Sequence, residues 1–237
     1  MQCPPPAGMQ ETMQAQRRVS SAATGLDGLY AITPDWADTD RLLATTRAIL
    51  DGGCRLIQYR NKSAPPGLRL EQARALRALT RAYAARLIVN DDIGLGLEVA
   101  SDGVHLGMQD GDLATARAAL GPDALLGASC YQSLSLARAA VAAGVNYVAF
   151  GSVFASPTKP QAGRAPLALI AEAAGELPVP VAAIGGITLD NARSVVDSGA
   201  RLLAVLTALY DAPDPRRVAA RFTALVSTRK ERHDLAQ

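Results

Sequence analysis

Eight short apolar segments alternate with amphipathic segments along the chain, and this alternation constrains the fold more than any other feature. The apolar segments have the length of strands, and most segments between them carry apolar residues at helical spacing. The repeat is roughly 25 residues long, near the strand-plus-helix unit of a (β/α)8 barrel. The sequence therefore predicts a single (β/α)8 TIM barrel, of class α/β. Its predicted strands span residues 28–33, 54–60, 86–90, 103–106, 124–129, 146–151, 179–184 and 202–206.

The apolar segments are near-continuous runs of Val, Ile, Leu and Ala, which indicates strands covered on both faces. A doubly wound parallel sheet is the alternative, but no Gly-x-Gly-x-x-Gly sequence follows the first strand. No break in composition divides the chain, so residues 28–230 are predicted to form one catalytic barrel domain. Residues 1–27, rich in Gln, Ser, Pro and Ala, are expected to form a flexible N-terminal arm, and residues 231–237 a polar C-terminal tail.

Composition excludes several classes of function. The net charge of +2 is too small for a nucleic-acid-binding surface, and no apolar run is long enough to cross a membrane. Three prolines at positions 4–6 interrupt the region where an export signal would need an apolar segment. The cysteines Cys3, Cys54 and Cys130 are too widely spaced for a zinc site, and the latter two are predicted to be buried thiols. These features together predict a cytoplasmic protein.

Polar residues gather where the predicted strands end, which is the face that carries the catalytic groups in this fold. Two cations, two carboxylates, hydroxyls and glycine-rich turns at one rim indicate a polyphosphate site with a metal ion. In chain order, these strand-end residues are Gln58, Tyr59, Arg60, Asn61, Lys62, Asn90, Asp91, Asp92, Gln109, Asp110, Ser129, Ser156, Thr158, Lys159, Gly185, Gly186, Leu206 and Thr207.

Asp91 and Asp110 are the candidate metal ligands, because carboxylates on neighbouring parallel strands converge and oxygen ligands suit Mg²⁺. Asp92 is assigned instead to the cap of the following helix. Structural explanations stay open for several groups: Asp110 as a turn residue, Arg60 and Lys62 as solvated charges, and Gly185-Gly186 as a tight turn. His105 lies within a strand and is predicted to be a hydrogen-bonded core residue. Cys130 has neither a nearby cation nor a His partner in the sequence and is not predicted to be a nucleophile.

Seven of these segments, taken in order, resemble the thiamine-phosphate synthase family. The resemblance extends from Leu29 to about Pro213 and covers nearly all of the predicted barrel. No single motif is decisive, but seven in the family's order at strand ends are specific. They are LYAIT (29–33), QYRNK (58–62), VNDD (89–92), GVHLGMQD (103–110), FGSVFASPTKP (150–160), AIGGI (183–187) and AVLTAL (204–209).

The resemblance implies the joining of a pyrimidine methyl diphosphate to a thiazole ethyl phosphate, with release of pyrophosphate. It implies that Gln58, Arg60, Lys62, Asn90 and Lys159 hold the pyrimidine diphosphate, with Tyr59 and Asn61 in the same binding segment. Asp91 and Asp110 match the Mg²⁺ ligands, and Ser129 matches a serine near the pyrimidine ring. Ser156, Pro157 and Thr158 match the thiazole-phosphate loop, whereas Gly186, Leu206 and Thr207 match positions that bind the phosphate of the thiazole. Arg60, Lys62, Ser129 and Lys159 are the implied catalytic residues.

Two alternatives to the synthase remain. A thiazole tautomerase would resemble this family, but it relies on a His near the point where this chain has Cys130-Tyr131. A non-catalytic barrel that binds thiazole phosphate has no evident use for Arg60, Lys62, Lys159 and the two carboxylates together. The sequence leaves open the oligomeric state, with a homo-oligomer as one outcome, and whether the loop over 152–164 closes on the site.

Overall fold

The computed structural model describes residues 25–155 and 163–234 of the chain, with the backbone alone described over residues 228–234. Eight parallel strands form a closed barrel in which each strand pairs with the next along the chain and β8 pairs with β1. This confirms the predicted fold. The strands are β1 (Gly28–Ile32), β2 (Leu56–Tyr59), β3 (Arg86–Asn90), β4 (Gly103–Leu106), β5 (Leu125–Tyr131), β6 (Tyr147–Gly151), β7 (Val181–Ile184) and β8 (Leu202–Val205).

The strands alternate with helices that cover the outside of the barrel. Within the described residues these are α1 (Thr39–Asp51), α2 (Pro66–Ala82), α3 (Ile93–Glu98), α4 (Leu113–Leu120), α5 (Leu134–Ala142), α6 (Leu167–Glu176), α7 (Ala192–Asp197), α8 (Thr207–Tyr210) and α9 (Pro215–Asp234). Five helices begin at a side-chain cap, because Asp38, Asp92, Asp112, Ser133 and Asp214 each accept the N–H three residues further on. The predicted capping role of Asp92 is therefore confirmed.

Several element boundaries differ from the sequence prediction. β2 and β7 each begin two residues later than predicted, and β5 continues to Tyr131 through an irregularity after Ser129. The one-turn helix α8 was not predicted, because four residues are too few to give a helical pattern. These differences shift element ends and leave the order of the elements unchanged.

Apolar side chains form two separate layers. One fills the inside of the barrel and includes Tyr30, Ile88, Tyr147 and Leu202, and the larger one lies between the sheet and the helices. The inside layer also contains Leu26, which is buried although its position falls within the predicted arm. The ordered barrel therefore begins at least two residues earlier than predicted, whereas residues 1–24 lie outside the described part of the chain.

The described cysteines have the burial that the sequence predicted. Cys54 and Cys130 are free and buried, as predicted, whereas Cys3 lies outside the described residues. Burial raises the pKa of the Cys54 thiol to about 11 and that of Cys130 to about 12. Both thiols are thus protonated at neutral pH and are poor nucleophiles.

No helix in the described ranges has both the length and the apolar character needed to cross a membrane.

The packing of the barrel interior predicts an asymmetric response to two Gly→Ala substitutions. A Cβ at Gly127 would overlap the ring of Tyr147, whereas a Cβ at Gly175, in helix α6, would have no neighbour within 4 Å. We expect Gly127→Ala to lower the free energy of unfolding by about 1–3 kcal/mol through overpacking. Gly175→Ala should raise it by about 0.5–1 kcal/mol through helix propensity. Chemical denaturation measures both, and equal effects would contradict the interior packing.

Candidate active site

The ends of β1 and β2 are joined so that a cation is held at the rim of the barrel. The buried hydroxyl of Thr33 accepts the N–H of Arg60 at 2.8 Å and donates to its carbonyl oxygen at 2.9 Å. The Arg60 guanidinium donates to both carboxylate oxygens of Asp35, at 2.9 and 3.0 Å. Asp35 also accepts the backbone N–H of Lys62 at 2.9 Å. One carboxylate from the loop after β1 thereby orients both halves of the basic segment after β2.

Next to this segment, the ends of β3 and β4 contribute two carboxyl groups that lie together. Lys62 Nζ is 2.8 Å from Asp91 Oδ2, and the carboxyls of Asp91 and Asp110 share a hydrogen bond. Asp110 also accepts the backbone N–H of Gly107 at 2.8 Å. Asp91 has a left-handed backbone with φ of 64°, which an Asp tolerates better than most residues. The predicted convergence of Asp91 and Asp110 at one mouth is present.

The two carboxyl groups have opposite pKa shifts. Burial acts to raise the pKa of Asp91, but hydrogen bonds with Lys62 and Asp110, together with the charge of Lys62, outweigh it and lower that pKa. Burial raises the pKa of Asp110, and its hydrogen bond with Asp91 raises it further. Two adjacent carboxylates repel each other unless a proton or a cation lies between them. As the pH falls, the pair therefore takes up a proton on Asp110 before Asp91, which keeps its charge longer.

Beneath the rim, polar side chains point into the barrel in place of apolar ones. Gln58 and His105 are buried, with exposed fractions of 4% and 6%. His105 bonds to Ser129 Oγ at 2.9 Å and to Tyr147 Oη at 3.1 Å, so the prediction of a hydrogen-bonded core histidine is confirmed. Burial lowers the pKa of His105 to about 4, against the opposing charge of Asp91, and the ring is neutral at physiological pH. Asn90 lies on the same inward face, two residues after the interior Ile88.

On the other side of the mouth, the turn after β7 lies against the segment after β6. Gly185 and Gly186 have positive φ values, and a Cβ on Gly186 would overlap the carbonyl oxygen of Ala155. Close packing therefore requires glycine here, whether or not a ligand binds. Within the described part of the chain, the N–H groups of Gly186, Thr207 and Ala208 have no hydrogen-bond acceptor. Leu206 is the residue immediately before α8 and packs against the inside layer.

Two of the predicted substrate-binding side chains do not face the mouth. The Tyr59 ring is buried in the layer outside the sheet, and its hydroxyl donates to Gln72 at 3.0 Å. Asn61 is also buried and donates to Gln72 and to the carbonyl oxygen of Trp36. Both positions fall on the outward phase of the strand alternation that directs Gln58 and Arg60 inward. Of the remaining predicted residues, Ser156, Pro157, Thr158 and Lys159 lie outside the described residues.

Three residues of this site were missed by the sequence analysis. Asp35 follows a Thr-Pro pair that ends β1, and its place directly after a strand was the available signal. Tyr30 and Tyr147 lie within apolar strands, where an aromatic residue is normally interpreted as a member of the hydrophobic core. Their hydroxyls are 2.7 Å apart inside the barrel, and only the closed fold brings these two side chains together.

The carboxyl pair can be tested for fit to a metal ion. Over residues 25–155 and 163–227, no group of three or more His, Cys, Asp or Glu side chains is arranged to hold a metal. Mg²⁺ does not need such a group, because it commonly uses one or two carboxylates and completes its shell with water and substrate phosphates. Asp91 and Asp110 place two carboxyl groups side by side next to the basic segment, so the donor set fits Mg²⁺.

These features define a class of protein: a (β/α)8 barrel with a charged cleft at the carboxyl ends of its strands. Other barrels share this fold at low identity, among them a 3-hexulose-6-phosphate synthase from Salmonella typhimurium. That structure is 18% identical with a TM-score of 0.67, covering 85% of this chain and 99% of that one. A likeness at that level of identity shows the fold alone.

The family follows from closer similarities. Residues 29–209 match the family described as thiamine monophosphate synthase. Thiamine-phosphate synthase from Thiobacillus denitrificans is 52% identical over 204 residues, which are 86% of this chain and 97% of that protein. That of Chromobacterium violaceum is 54% identical over 189 residues, 80% and 91% of the two chains. The thiamine phosphate pyrophosphorylase structure from Pyrococcus furiosus is 35% identical with a TM-score of 0.76, covering 86% and 97%. The chain belongs to the thiamine monophosphate synthase family.

The raised pKa of Asp110 predicts a gain in stability when its charge is removed. A carboxyl with a raised pKa stabilises the fold below its ordinary pKa of 3.8 and loses that contribution as the pH rises through the folded value. We therefore expect Asp110→Asn to melt at a higher temperature than the parent protein at neutral pH without divalent cations. The difference should disappear in acid, where both proteins are uncharged at this position.

Asp112→Asn is the matched control for this measurement. Hydrogen bonds from Thr115 lower the pKa of Asp112, so its charged form stabilises the fold above the ordinary pKa and that contribution is lost as the pH falls. The substituted amide still caps helix α4. Asp112→Asn should therefore give no increase in melting temperature, and an equal increase in both variants would contradict the assignment of the strained charge to Asp110.

Proposed function

We propose that this protein is a transferase that condenses 4-amino-2-methyl-5-(diphosphooxymethyl)pyrimidine with 4-methyl-5-(2-phosphoethyl)thiazole to give thiamine phosphate and pyrophosphate. The observation that carries the proposal is the meeting of Arg60, Lys62, Asp91 and Asp110 at one rim of a barrel that belongs to the thiamine monophosphate synthase family. Basic groups beside a carboxylate pair suit a diphosphate bound with a divalent cation.

The reaction breaks one bond and forms one. The C–O bond between the pyrimidine methylene and the diphosphate breaks, and pyrophosphate leaves with the electron pair. The thiazole nitrogen supplies the lone pair for the new C–N bond. The aminopyrimidine stabilises positive charge on its methylene, so the C–O bond can break early. Neither step requires a protein nucleophile, which agrees with the raised pKa values of the buried thiols Cys54 and Cys130.

In this proposal the basic residues stabilise the departing diphosphate. Arg60 is oriented by Asp35, and Lys62 lies over Asp91, so both cations are in place before the ligand binds. Lys159 completes the set in the proposal. Preorganised groups of this kind are commonly worth about 3 kcal/mol each in the transition state. The protein thus supplies charge and position, which is what a departing anion requires.

Asp91 and Asp110 would hold Mg²⁺ together with the substrate diphosphate. The ion, when bound, supplies positive charge that offsets the charge developing on pyrophosphate. The two carboxylates would hold the ion where β3 and β4 end and would balance its charge. Both carboxyl groups would bind the ion in their ionised form, so the raised pKa of Asp110 would make metal binding weaker in acid.

The remaining predicted residues are assigned to the organic parts of the substrates. Gln58, Asn90 and Ser129 lie on the inward face below the rim and would contact the pyrimidine. The N–H groups of Gly186 and Thr207, with the Thr207 hydroxyl, would bind the phosphate of the thiazole beside Leu206. Ser156, Pro157 and Thr158 are also assigned to thiazole-phosphate binding, as the family resemblance implies. The substrates are small molecules, and the cytoplasmic location and the absence of a nucleic-acid partner stay predictions from composition.

The direct test is product formation by the purified full chain. Incubation with both substrates and Mg²⁺ should yield thiamine phosphate and pyrophosphate in equal amounts, and EDTA should abolish the reaction. Isomerisation of a thiazole without diphosphate or metal would instead identify a tautomerase. Binding of thiazole phosphate without turnover would identify a non-catalytic barrel. Either of these results contradicts the proposal.

Two neighbouring aspartates offer a matched pair for the metal assignment. Asp91→Asn removes a ligand charge but keeps the shape of the side chain and suits the left-handed backbone. We expect kcat to fall by about 10²–10³-fold, as when one preorganised group is lost from a reacting centre. Steady-state kinetics over a range of Mg²⁺ concentrations measures it.

Asp92→Asn provides the control, because it makes the same chemical change one residue further on. The amide still caps helix α3, and the change loses the partly exposed ion pair with Arg69. Its kcat should stay close to that of the parent protein. Turnover unaffected by Asp91→Asn, or equally reduced in both variants, would refute the metal assignment.

A further inference from the structure

A chain of four hydrogen bonds crosses the inside of the barrel and joins two residues that face the mouth. Gln58 Nε2 donates to Tyr30 Oη at 2.6 Å, and Tyr30 Oη lies 2.7 Å from Tyr147 Oη. Tyr147 Oη lies 3.1 Å from His105 Nδ1, and His105 Nε2 lies 2.9 Å from Ser129 Oγ. We call these residues the interior relay.

The interior relay has a defined direction. The amide of Gln58 donates to Tyr30, so the Tyr30 hydrogen must go to Tyr147, which is its other polar partner within the described residues. The Tyr147 hydrogen then goes to His105 Nδ1 for the same reason. Because Nδ1 accepts this hydrogen, His105 bears its proton on Nε2 and donates it to Ser129. The acceptor of each hydrogen atom is thus determined by the preceding hydrogen bond in the chain.

The direction fixes what the two end residues offer to a ligand. Ser129 accepts from His105, so its own hydrogen is available to an acceptor in the cleft. Gln58 uses Nε2 inside the barrel, so its Oε1 is available to a donor. If the amide of Gln58 were turned over, every hydrogen bond in the interior relay would reverse, and both ends would change role together. The donor and acceptor roles of Gln58 and Ser129, on two sides of the mouth, are thus coupled through the barrel interior.

We propose that the interior relay sets the hydrogen-bonding sense of the ligand site, with Tyr30, Tyr147 and His105 as positioning residues. The site then selects a planar heterocycle that presents an acceptor to Ser129 and a donor to Gln58. An aminopyrimidine has both, in its ring nitrogens and its exocyclic amine. This step rests on the proposed function for the identity of the ligand, but the direction of the interior relay does not.

The Tyr and His side chains are suited to this positioning role. All three are buried, and the His105 and Tyr147 rings stack with centroids 5.5 Å apart. The Tyr30 and Tyr147 rings meet edge to face at 5.8 Å. Packing of this kind holds each hydroxyl and ring nitrogen at its partner, so the direction is preorganised before a ligand enters.

The tautomer of His105 tests the direction in the ligand-free protein. The chain contains two histidines, and His233→Gln leaves His105 alone in the spectrum. Two-bond ¹H–¹⁵N correlation NMR with ¹⁵N-labelled histidine distinguishes the tautomers. We expect the proton of His105 on Nε2 near neutral pH. A proton on Nδ1 would show the opposite direction and overturn the proposal.

Coupling along the interior relay is tested by a substitution at Gln58, the end of the relay opposite Ser129. An ionised carboxylate can only accept, so Gln58→Glu should reverse the direction and move the His105 proton to Nδ1, three hydrogen bonds away. The switch should follow ionisation of the introduced carboxyl as the pH is raised. Gln132→Glu, which adds the same charge to an exposed residue after β5, should leave the tautomer unchanged. A tautomer on Nε2 at every pH in Gln58→Glu would overturn the coupling.

A kinetic comparison tests the consequence for the ligand. Tyr30→Phe interrupts the interior relay without touching the rim, and we expect the KM for the pyrimidine diphosphate to rise about tenfold, as for one hydrogen bond to a ligand. The KM for the thiazole phosphate should stay within twofold. Tyr210→Phe removes a buried hydroxyl bonded to Thr46 outside the sheet and should change neither constant. A parallel rise in both constants in Tyr30→Phe would overturn the positioning role.

The two proposals fail separately. A protein that makes no thiamine phosphate but keeps the His105 proton on Nε2 contradicts the proposed function and retains the interior relay. A protein that turns over and carries the proton on Nδ1 retains the function and loses the relay.

Discussion

The site depends on the approach of two carboxyl groups at the ends of neighbouring strands. Asp91 and Asp110 lie side by side, where hydrogen bonding with Asp91 helps to raise the pKa of Asp110 and Lys62 helps to lower the pKa of Asp91. Without a cation, ionising both groups is opposed by burial and by their mutual repulsion. The doubly ionised pair is therefore unfavourable by itself, and a bound divalent cation would stabilise it. The closed barrel imposes the approach, because β3 and β4 are paired in register up to Asn90 and His105.

The charged rim is separated from a neutral layer beneath it. Arg60, Lys62 and the carboxyl pair are partly exposed, where charge is solvated and can meet a ligand. His105 is buried below them and neutral. The order follows from the cost of burying charge, since an ionised group inside the barrel would need a partner that the neutral side chains cannot provide. The fold can thus present a strong electrostatic site at the mouth and a hydrogen-bonding surface of fixed direction below it.

Much of this could be predicted from the sequence, because strand ends are local and the barrel brings them together. The eight apolar segments predicted the fold, and position after a strand identified Asp91 and Asp110 although 19 residues separate them in the numbering. Residues inside strands were harder to assign. Alternation along β2 directs the Tyr59 side chain away from the mouth, whereas the QYRNK motif predicted five consecutive residues at the substrate.

Other features could not be predicted, because they arise from contacts between distant strands. The bond between Tyr30 and Tyr147 joins β1 to β6 across the barrel interior, and no pattern in either strand marks it. Gly186 illustrates a different difficulty, since close packing against Ala155 and a phosphate site both require glycine there. A single sequence cannot separate those two requirements. The burial of Leu26 beneath the barrel likewise depends on tertiary packing.

The most direct test of the central claim is calorimetric titration of pyrophosphate into the protein with and without Mg²⁺. If the carboxyl pair and the basic segment form one site, Mg²⁺ and pyrophosphate should strengthen each other's binding by about tenfold or more. That enhancement should be lost in a variant that lacks both carboxylates, Asp91→Asn with Asp110→Asn. Pyrophosphate that binds the parent protein equally well with and without Mg²⁺ would contradict the account.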